Sequence, residues 1–143
     1  RLDGFVQAMK ARQLPVPPDS IQYGDFGLPS ARRATEALLG LSKPPTAVFV
    51  ASDDMALEAI QAAQAKGVRV PEELSVVGFD DNPIAAHARV PLTTIRQPLA
   101  EMGRQGLETL HQYLTGKKKN PTKLLLSTEL IERRSCRQTW LDR

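Results

Sequence analysis

Residues 74–81 of this chain read Leu-Ser-Val-Val-Gly-Phe-Asp-Asp, an apolar run that ends in two adjacent carboxylates. Residues 46–54 repeat the arrangement, because Thr-Ala-Val-Phe-Val-Ala leads into Ser-Asp-Asp. Continuous β-branched and aromatic runs are typical of strands buried on both faces, as in a parallel sheet covered by helices. Ligands of open α/β sheets bind beyond the carboxyl ends of the strands, so the acidic residues predict a cleft for a small polar ligand.

The composition fits one globular domain. The chain has 143 residues, of which 41% are apolar and 24% charged, enough to bury one core. The lone Cys136 allows no internal disulfide and fits a reducing compartment, so we expect a cytoplasmic protein. No stretch of the sequence approaches the roughly 20 apolar residues of a membrane span, which predicts no membrane partner. Because the sequence begins at Arg1 without Met or a signal-peptide pattern, we expect an internal or C-terminal fragment.

The net charge of +3 says little about partners, because the basic residues are spread along the chain. The sequence contains neither a legible helix-turn-helix nor interleaved aromatic and basic residues of the kind that bind single strands. We therefore expect any contact with DNA to lie outside this chain.

The order of elements predicts an α/β fold. Helical spacing, capping residues and Pro or Gly stops predict helices over residues 1–13, 29–41, 53–66 and 98–115, with a short helix within 82–90. Extended segments are predicted over residues 21–23, 46–51, 74–79, 91–95, 123–127 and 130–134, the last two as edge strands. The alternation predicts a three-layer, doubly wound, mainly parallel sheet with right-handed crossovers.

Six sequence blocks, in this order and at these separations, resemble the effector-binding core of LacI/GalR-type transcription regulators. They cover residues 45–49, 53–57, 67–71, 74–81, 92–98 and 129–135. The resemblance implies a type I periplasmic-binding-protein-like fold, of which this chain would be mainly the C-terminal subdomain. Residues 1–93 and 123–137 would belong to that subdomain and the helix at 98–116 to the N-terminal one, which would leave its apolar stripe unpartnered.

The resemblance also implies a function. The chain would be the ligand-sensing and dimerisation domain of a repressor that binds DNA through an N-terminal module absent from this chain. Its effector would be a small polar molecule of the sugar or nucleobase class, and no enzyme activity, cofactor or metal is implied. Family members pair through this subdomain, so we expect the homodimer surface at residues 55–66 and 82–90.

Two effector-binding residues follow from blocks near the start of the chain. Arg1 opens an Arg-x-x-Gly-Phe-like block, in which the family arginine hydrogen-bonds the effector; a guanidinium can grip hydroxyls, a carbonyl or a carboxylate. A frayed terminus is the alternative for Arg1. Phe26 matches the aromatic position after Gly-Asp, where a ring forms a flat wall for the ligand. Core packing is the alternative for Phe26.

Three further effector-binding residues lie at predicted strand ends. Asp80 matches the family's effector-binding aspartate, and its carboxylate can accept two hydroxyl or amino donors. Ser52 stands where the family often has Asn, and a helix cap is its alternative role. Gln97 matches a polar position on the cleft floor. Asp81, in contrast, is predicted to cap the next turn.

Two other classes of function remain open at this point. The same fold occurs in periplasmic sugar-binding proteins of transporters, which an upstream signal peptide would indicate. Four carboxylates at strand ends are also compatible with magnesium-dependent phosphoryl transfer. The sequence has no phosphate-cradling glycine-rich loop and no nucleophile elbow, so it predicts no catalytic residue. His87 and His111 are too far apart in the predicted structure to form a metal site with Cys136.

Overall fold

The computed structural model describes residues 1–117 and 123–137 of the chain. Five α-helices and four β-strands follow one another in these residues, with a 3-10 turn at Pro18–Ser20. Their order is α1 (Leu2–Ala11), α2 (Leu28–Leu39), β1 (Ala47–Phe49), α3 (Asp53–Ala65), β2 (Ser75–Val77), α4 (Pro83–His87), β3 (Thr94–Arg96), α5 (Leu99–Leu114) and β4 (Glu129–Ile131).

The strands form one mainly parallel layer with an antiparallel edge. β1 and β2 pair in parallel, with Val48 opposite Val76. Single parallel bridges, Val77 to Thr93 and Asp80 to Arg96, place the segment that contains β3 on the far side of β2. β4 then pairs antiparallel with β3. The predicted parallel pairing of the two long apolar runs is therefore confirmed, although each ladder is shorter than the run that forms it.

Helices cover both faces of this layer. Val48 and Val50 of the first apolar run pack against the buried core formed with α3, which includes Ala56 and Ile60. The residue between them, Phe49, stacks on Phe5 of α1 with ring centroids 6.2 Å apart. Since successive residues of a strand point to opposite faces, α1 and α3 lie on opposite sides of β1, as the doubly wound prediction requires.

The ends of α3 carry the signals that the sequence predicted. Ser52 is extended, and its hydroxyl oxygen accepts a hydrogen bond from the backbone N–H of Met55 at 3.4 Å. Two aspartates occupy the first turn, where the helix dipole favours negative charge. Gly67 follows the helix with φ of 80°, a conformation in which glycine carries no Cβ penalty. The N-terminus of α3 therefore lies just after the carboxyl end of β1, where Ser52 caps it.

Two predicted strands do not form. Ile21 is extended, but the structure assigns no ladder to residues 21–23. Residues 123–128 also have no regular structure, and Leu125 in this segment is 81% exposed. A strand is stable only when its backbone groups find a partner, which the local pattern does not reveal.

The helix α5 has no buried residue. Its apolar stripe is exposed, as expected for a helix without a partner, and consists of Leu99, Met102, Leu107, Leu110 and Leu114. The assignment of this helix to a second subdomain remains a prediction. None of the helices in the described ranges is long and apolar enough to cross a membrane.

Candidate functional site

The chain turns sharply at Asp80 and Asp81, just beyond the end of β2, and we call this turn the corner. Asp80 has φ of 118° and Asp81 has φ of 58°, two adjacent non-glycine residues with positive φ. Such conformations cost on the order of 1–3 kcal/mol each and persist only where the surroundings hold them. The backbone N–H of Asp80 donates to the carbonyl of Ile95 at 2.9 Å, so the corner is tied to β3. The carboxylates of Asp80 and Asp81 are both held by cationic or amide partners.

Asp80 lies at the centre of the candidate site. Its Oδ1 accepts hydrogen bonds from Nε2 of Gln97 at 2.6 Å and from Nη2 of Arg1 at 3.2 Å. Asp80 is therefore in direct contact with Arg1 and Gln97, two other residues that the resemblance implies in effector binding. We call these three residues the Asp80 cluster. The Asp80 side chain is only 22% exposed, which strengthens its interaction with a charged or hydrogen-bonding ligand.

The side chain of Arg1 is anchored. One of its nitrogens donates to the carbonyl oxygen of Ala51, at the carboxyl end of β1. Its guanidinium carbon also lies 4.0 Å from the centroid of the Phe79 ring, within the range of a cation–π interaction. Arg1 therefore bridges the carboxyl ends of β1 and β2 in this structure.

Aromatic rings form an apolar wall beside these polar groups. Phe79 meets Phe49 edge to face, with centroids 6.3 Å apart, and Phe49 in turn stacks on Phe5. Sequence reasoning did not assign Phe49 or Phe79 to the site. The available signal was their position, since each is the last aromatic residue of an apolar run that ends in carboxylates.

Phe26 lines the same cavity as Arg1, whereas neither Asp80 nor Gln97 lines that cavity. This cavity of about 660 Å³ runs along β1, α1 and α2. The Phe26 ring is 65% exposed and its φ is 64°, so it does not pack into a core of the described chain. The open position is compatible with the predicted ligand wall.

Of the two roles predicted for Ser52, helix cap and effector contact, the structure shows the helix cap. The residue is 8% exposed, and its hydroxyl caps α3. No hydrogen bond joins its side chain to the described residues of the Asp80 cluster. The sequence could not separate these roles, because a serine at a strand end serves either purpose.

Asp53 holds the turn at Asp80 and Asp81 in place through buried hydrogen bonds, a role that sequence reasoning missed. Its carboxylate is fully buried and accepts hydrogen bonds from the hydroxyl of Thr94 at 2.5 Å and from the backbone N–H of Asn82 at 2.7 Å. Burial raises the pKa of Asp53, while these two hydrogen bonds act in the opposite direction. The charges of Asp80 and Asp81 raise it further. Asp53 therefore joins α3, the corner and β3.

The prediction that Asp81 caps the next turn is wrong. Asn82 occupies the N-cap position of α4, and the Asp81 carboxylate binds two arginines instead. Its Oδ1 accepts from Nη2 of Arg133 at 2.6 Å and its Oδ2 from Nε of Arg96 at 2.7 Å. Burial tends to raise the pKa of Asp81, but the hydrogen bonds from Arg133 and Arg96 outweigh it and lower the pKa. Positive φ at Asp81 and the distant origin of Arg133 are not legible in the sequence.

Three of the four carboxylates at the strand ends are thus engaged with protein donors, whereas Asp54 is exposed. Arg1 and Gln97 bind Asp80, two arginines bind Asp81, and Asp53 is held by neutral donors. Within residues 1–117 and 123–137, no group of three or more His, Cys, Asp or Glu side chains is arranged to hold a metal ion.

A known family and known transcriptional regulators match almost the whole of this chain. The family model "Periplasmic binding protein-like domain" matches residues 1–136. The transcriptional repressor CytR of Escherichia coli K12 is 42% identical over 137 residues, which are 96% of this chain and 40% of that protein. The regulator CelR of Thermobifida fusca is 39% identical over 135 residues, covering 94% of this chain and 40% of CelR.

A solved structure described as a CelR–cellobiose complex superposes with a TM-score of 0.89 at 39% identity, covering 94% of this chain and 41% of that one. The chain therefore belongs to the periplasmic binding protein-like domain family, in the form that LacI/GalR-type regulators carry. It spans about 40% of the length of the curated relatives that it matches. These relatives are named as transcriptional regulators and not as enzymes.

Proposed function

We propose that this chain is the C-terminal part of the effector-sensing domain of a LacI/GalR-type transcriptional repressor. The observation that supports this most directly is the convergence of Arg1, Asp80 and Gln97 at the carboxyl ends of β1 and β2. This is the edge at which open α/β sheets bind their ligands. The identity of the relatives supports the same class of function.

The chemistry of the cluster suits a small polar effector of the sugar or nucleobase class. The Asp80 carboxylate accepts hydroxyl or amino donors, and the Gln97 amide can both donate and accept. The Arg1 guanidinium offers a planar set of donors. The exposed ring of Phe26, in the cavity that Arg1 also lines, provides apolar surface for the face of a sugar or a base. A cellobiose complex of the similar regulator CelR supports the sugar class.

Binding would regulate DNA through a change in domain geometry. In the proposed protein, an N-terminal module outside this chain holds the operator, and the homodimer sets the spacing of two such modules. The effector acts only if it binds one closure state more tightly than the other. We place the homodimer surface at residues 55–66 and 82–90, where Ile84 is 53% exposed and Gln61, Gln64 and Ala65 of α3 are also exposed. The other alanines of α3 are buried in this chain's own core.

Isothermal titration calorimetry of the full-length protein tests the site. The panel consists of cellobiose, sucrose, adenosine and uridine. For a compound that binds, Asp80→Ala is expected to weaken affinity by about tenfold or more, the scale of one lost hydrogen bond to a charged group. Asp54→Asn is the matched control, because Asp54 is exposed and lies outside the cluster. Equal affinity in the Asp80 variant would remove this site, and binding of none of the four compounds would reject the panel's ligand classes.

A further inference from the structure

Asp80 and Asp81 are neighbours in sequence but hold different parts of the molecule. Asp80 binds the residues of the candidate site, whereas Asp81 binds Arg96 at the end of β3 and Arg133 just after β4. We call Asp81, Arg96 and Arg133 the arginine clamp. Because the two residues are adjacent in one backbone corner, a displacement of the backbone at Asp80 also displaces Asp81.

Two of the three side chains of the arginine clamp are largely buried. The Asp81 side chain is 8% exposed and that of Arg133 16%, whereas that of Arg96 is 50% exposed. Arg133 also donates to the carbonyl of Leu92 at 2.8 Å, and its backbone N–H donates to the hydroxyl of Thr93 at 3.0 Å. A buried carboxylate that loses its charge would leave the guanidinium of Arg133 without its counter-ion, which is costly in a low-dielectric site.

The clamp also holds the two connections to α5. β3 leads through Gln97 into α5, and β4 receives the chain on its return. Arg96 reaches across this pair of strands, since it binds Asp81 and also Glu129 at the start of β4, at 3.2 Å. Because α5 has no buried residue, its orientation relative to the sheet depends on β3 and β4.

We propose that Asp81 is a positioning residue that couples the effector site to the connections on either side of α5. This rests on the proposed function, in which Asp80 contacts the effector. A ligand that pulls on Asp80 displaces the corner, and the arginine clamp transmits the displacement to β3 and β4. The clamp thus provides a continuous chain of contacts from the effector site to the segments on either side of α5.

Hydrogen–deuterium exchange of the ligand-free full-length protein tests whether Asp81 links Asp80 to β3 and β4. In Asp81→Asn, the amides of Asp80, β3 and β4 are expected to exchange about tenfold faster, while β1 keeps its wild-type rate. Glu73→Gln is the matched control, because it removes the exposed Arg69–Glu73 pair outside the clamp and leaves these rates unchanged. Wild-type exchange at Asp80, β3 and β4 in Asp81→Asn overturns the proposal.

A double-mutant cycle tests the coupling to binding. The probe is whichever of cellobiose, sucrose, adenosine and uridine binds the wild type most tightly. Asp81→Asn is expected to raise its Kd at least about threefold in the wild type, but to change it by less than about twofold in the presence of Asp80→Asn. A merely structural role of Asp81 would give equal effects in both backgrounds and would overturn the proposal. If no probe binds, the proposed ligand classes fail, and the exchange experiment alone decides on the clamp.

Discussion

Gly78 lies so close to Asp53 that a Cβ atom at Gly78 would press into the Asp53 carboxylate. The same atom would lie 2.8 Å from Cδ2 of Leu92. Asp53 and Leu92 are both fully buried, and Asp53 is held by hydrogen bonds on two sides. Only a residue without a side chain lets β2 approach α3 and the corner at this distance.

Gly78→Ala is therefore expected to lower the free energy of unfolding by about 1–3 kcal/mol, the usual cost of overpacking a rigid site. Urea unfolding of the protein measures it. Gly103→Ala is the control: among the described residues nothing lies within 4 Å of a Cβ there, and Ala in a helix interior stabilises by up to about 1 kcal/mol. Unchanged stability of Gly78→Ala would contradict the packing described for Asp53.

Ser135 joins β2 to the segment before β3. Its fully buried hydroxyl donates to the carbonyl of Val76 at 2.6 Å and accepts from the backbone N–H of Thr93 at 2.8 Å. Ser135→Ala leaves both backbone groups without this partner, so we expect a loss of about 1–3 kcal/mol in the free energy of unfolding. Ser127→Ala, at an exposed position, serves as the control in the same denaturation series. Equal stability of the two variants would disprove the bridging role.

The lowered pKa of Asp81 has a defined effect on stability at acid pH. A carboxyl group with a lower pKa in the folded state binds protons more readily when unfolded, so its contribution is present above the unfolded value, near 3.8. That contribution is lost as pH falls from 3.8 through the folded pKa. Asp81→Asn is expected to flatten this part of the stability curve.

Urea unfolding at several pH values below 5 measures the difference between wild type and Asp81→Asn. Asp54→Asn, outside the arginine clamp, is the control for the general effect of removing a carboxylate. Parallel curves for wild type and Asp81→Asn would show that Asp81 is not paired as described.

The exposed stripe of α5 predicts association of residues 1–143 expressed alone. Large contiguous apolar surface on a helix promotes self-association. Leu107 and Leu114 are 70% and 79% exposed, so their replacement by Glu is expected to shift the chain towards monomer in sedimentation velocity. His111→Glu, at an exposed polar position on the same helix, adds charge without removing apolar surface. A wild-type chain that is monomeric at high concentration would contradict this expectation.

The sequence predicted the elements whose signals are local. The apolar runs at 46–51 and 74–79, the cap at Ser52 and the glycine at Gly67 each identify their structure within a few residues. The predicted strands at 21–23 and 123–127 are wrong, because β-propensity describes a segment and a ladder needs a partner. The family resemblance placed Asp80 and Gln97 in the same cleft. It did not predict that their side chains are in contact.

The sequence by itself determined the α/β class, the parallel pairing of two buried runs and the presence of acidic groups at their carboxyl ends, since hydrophobic periodicity and strand polarity are properties of the chain. The tertiary structure alone decided which partner each carboxylate has. Asp80 and Asp81 follow one another, yet positive φ at both residues and arginines from positions 1, 96 and 133 assign one to the site and one to the clamp. Charge pairing over such separations depends on how the strands are arranged in space, which no local pattern encodes.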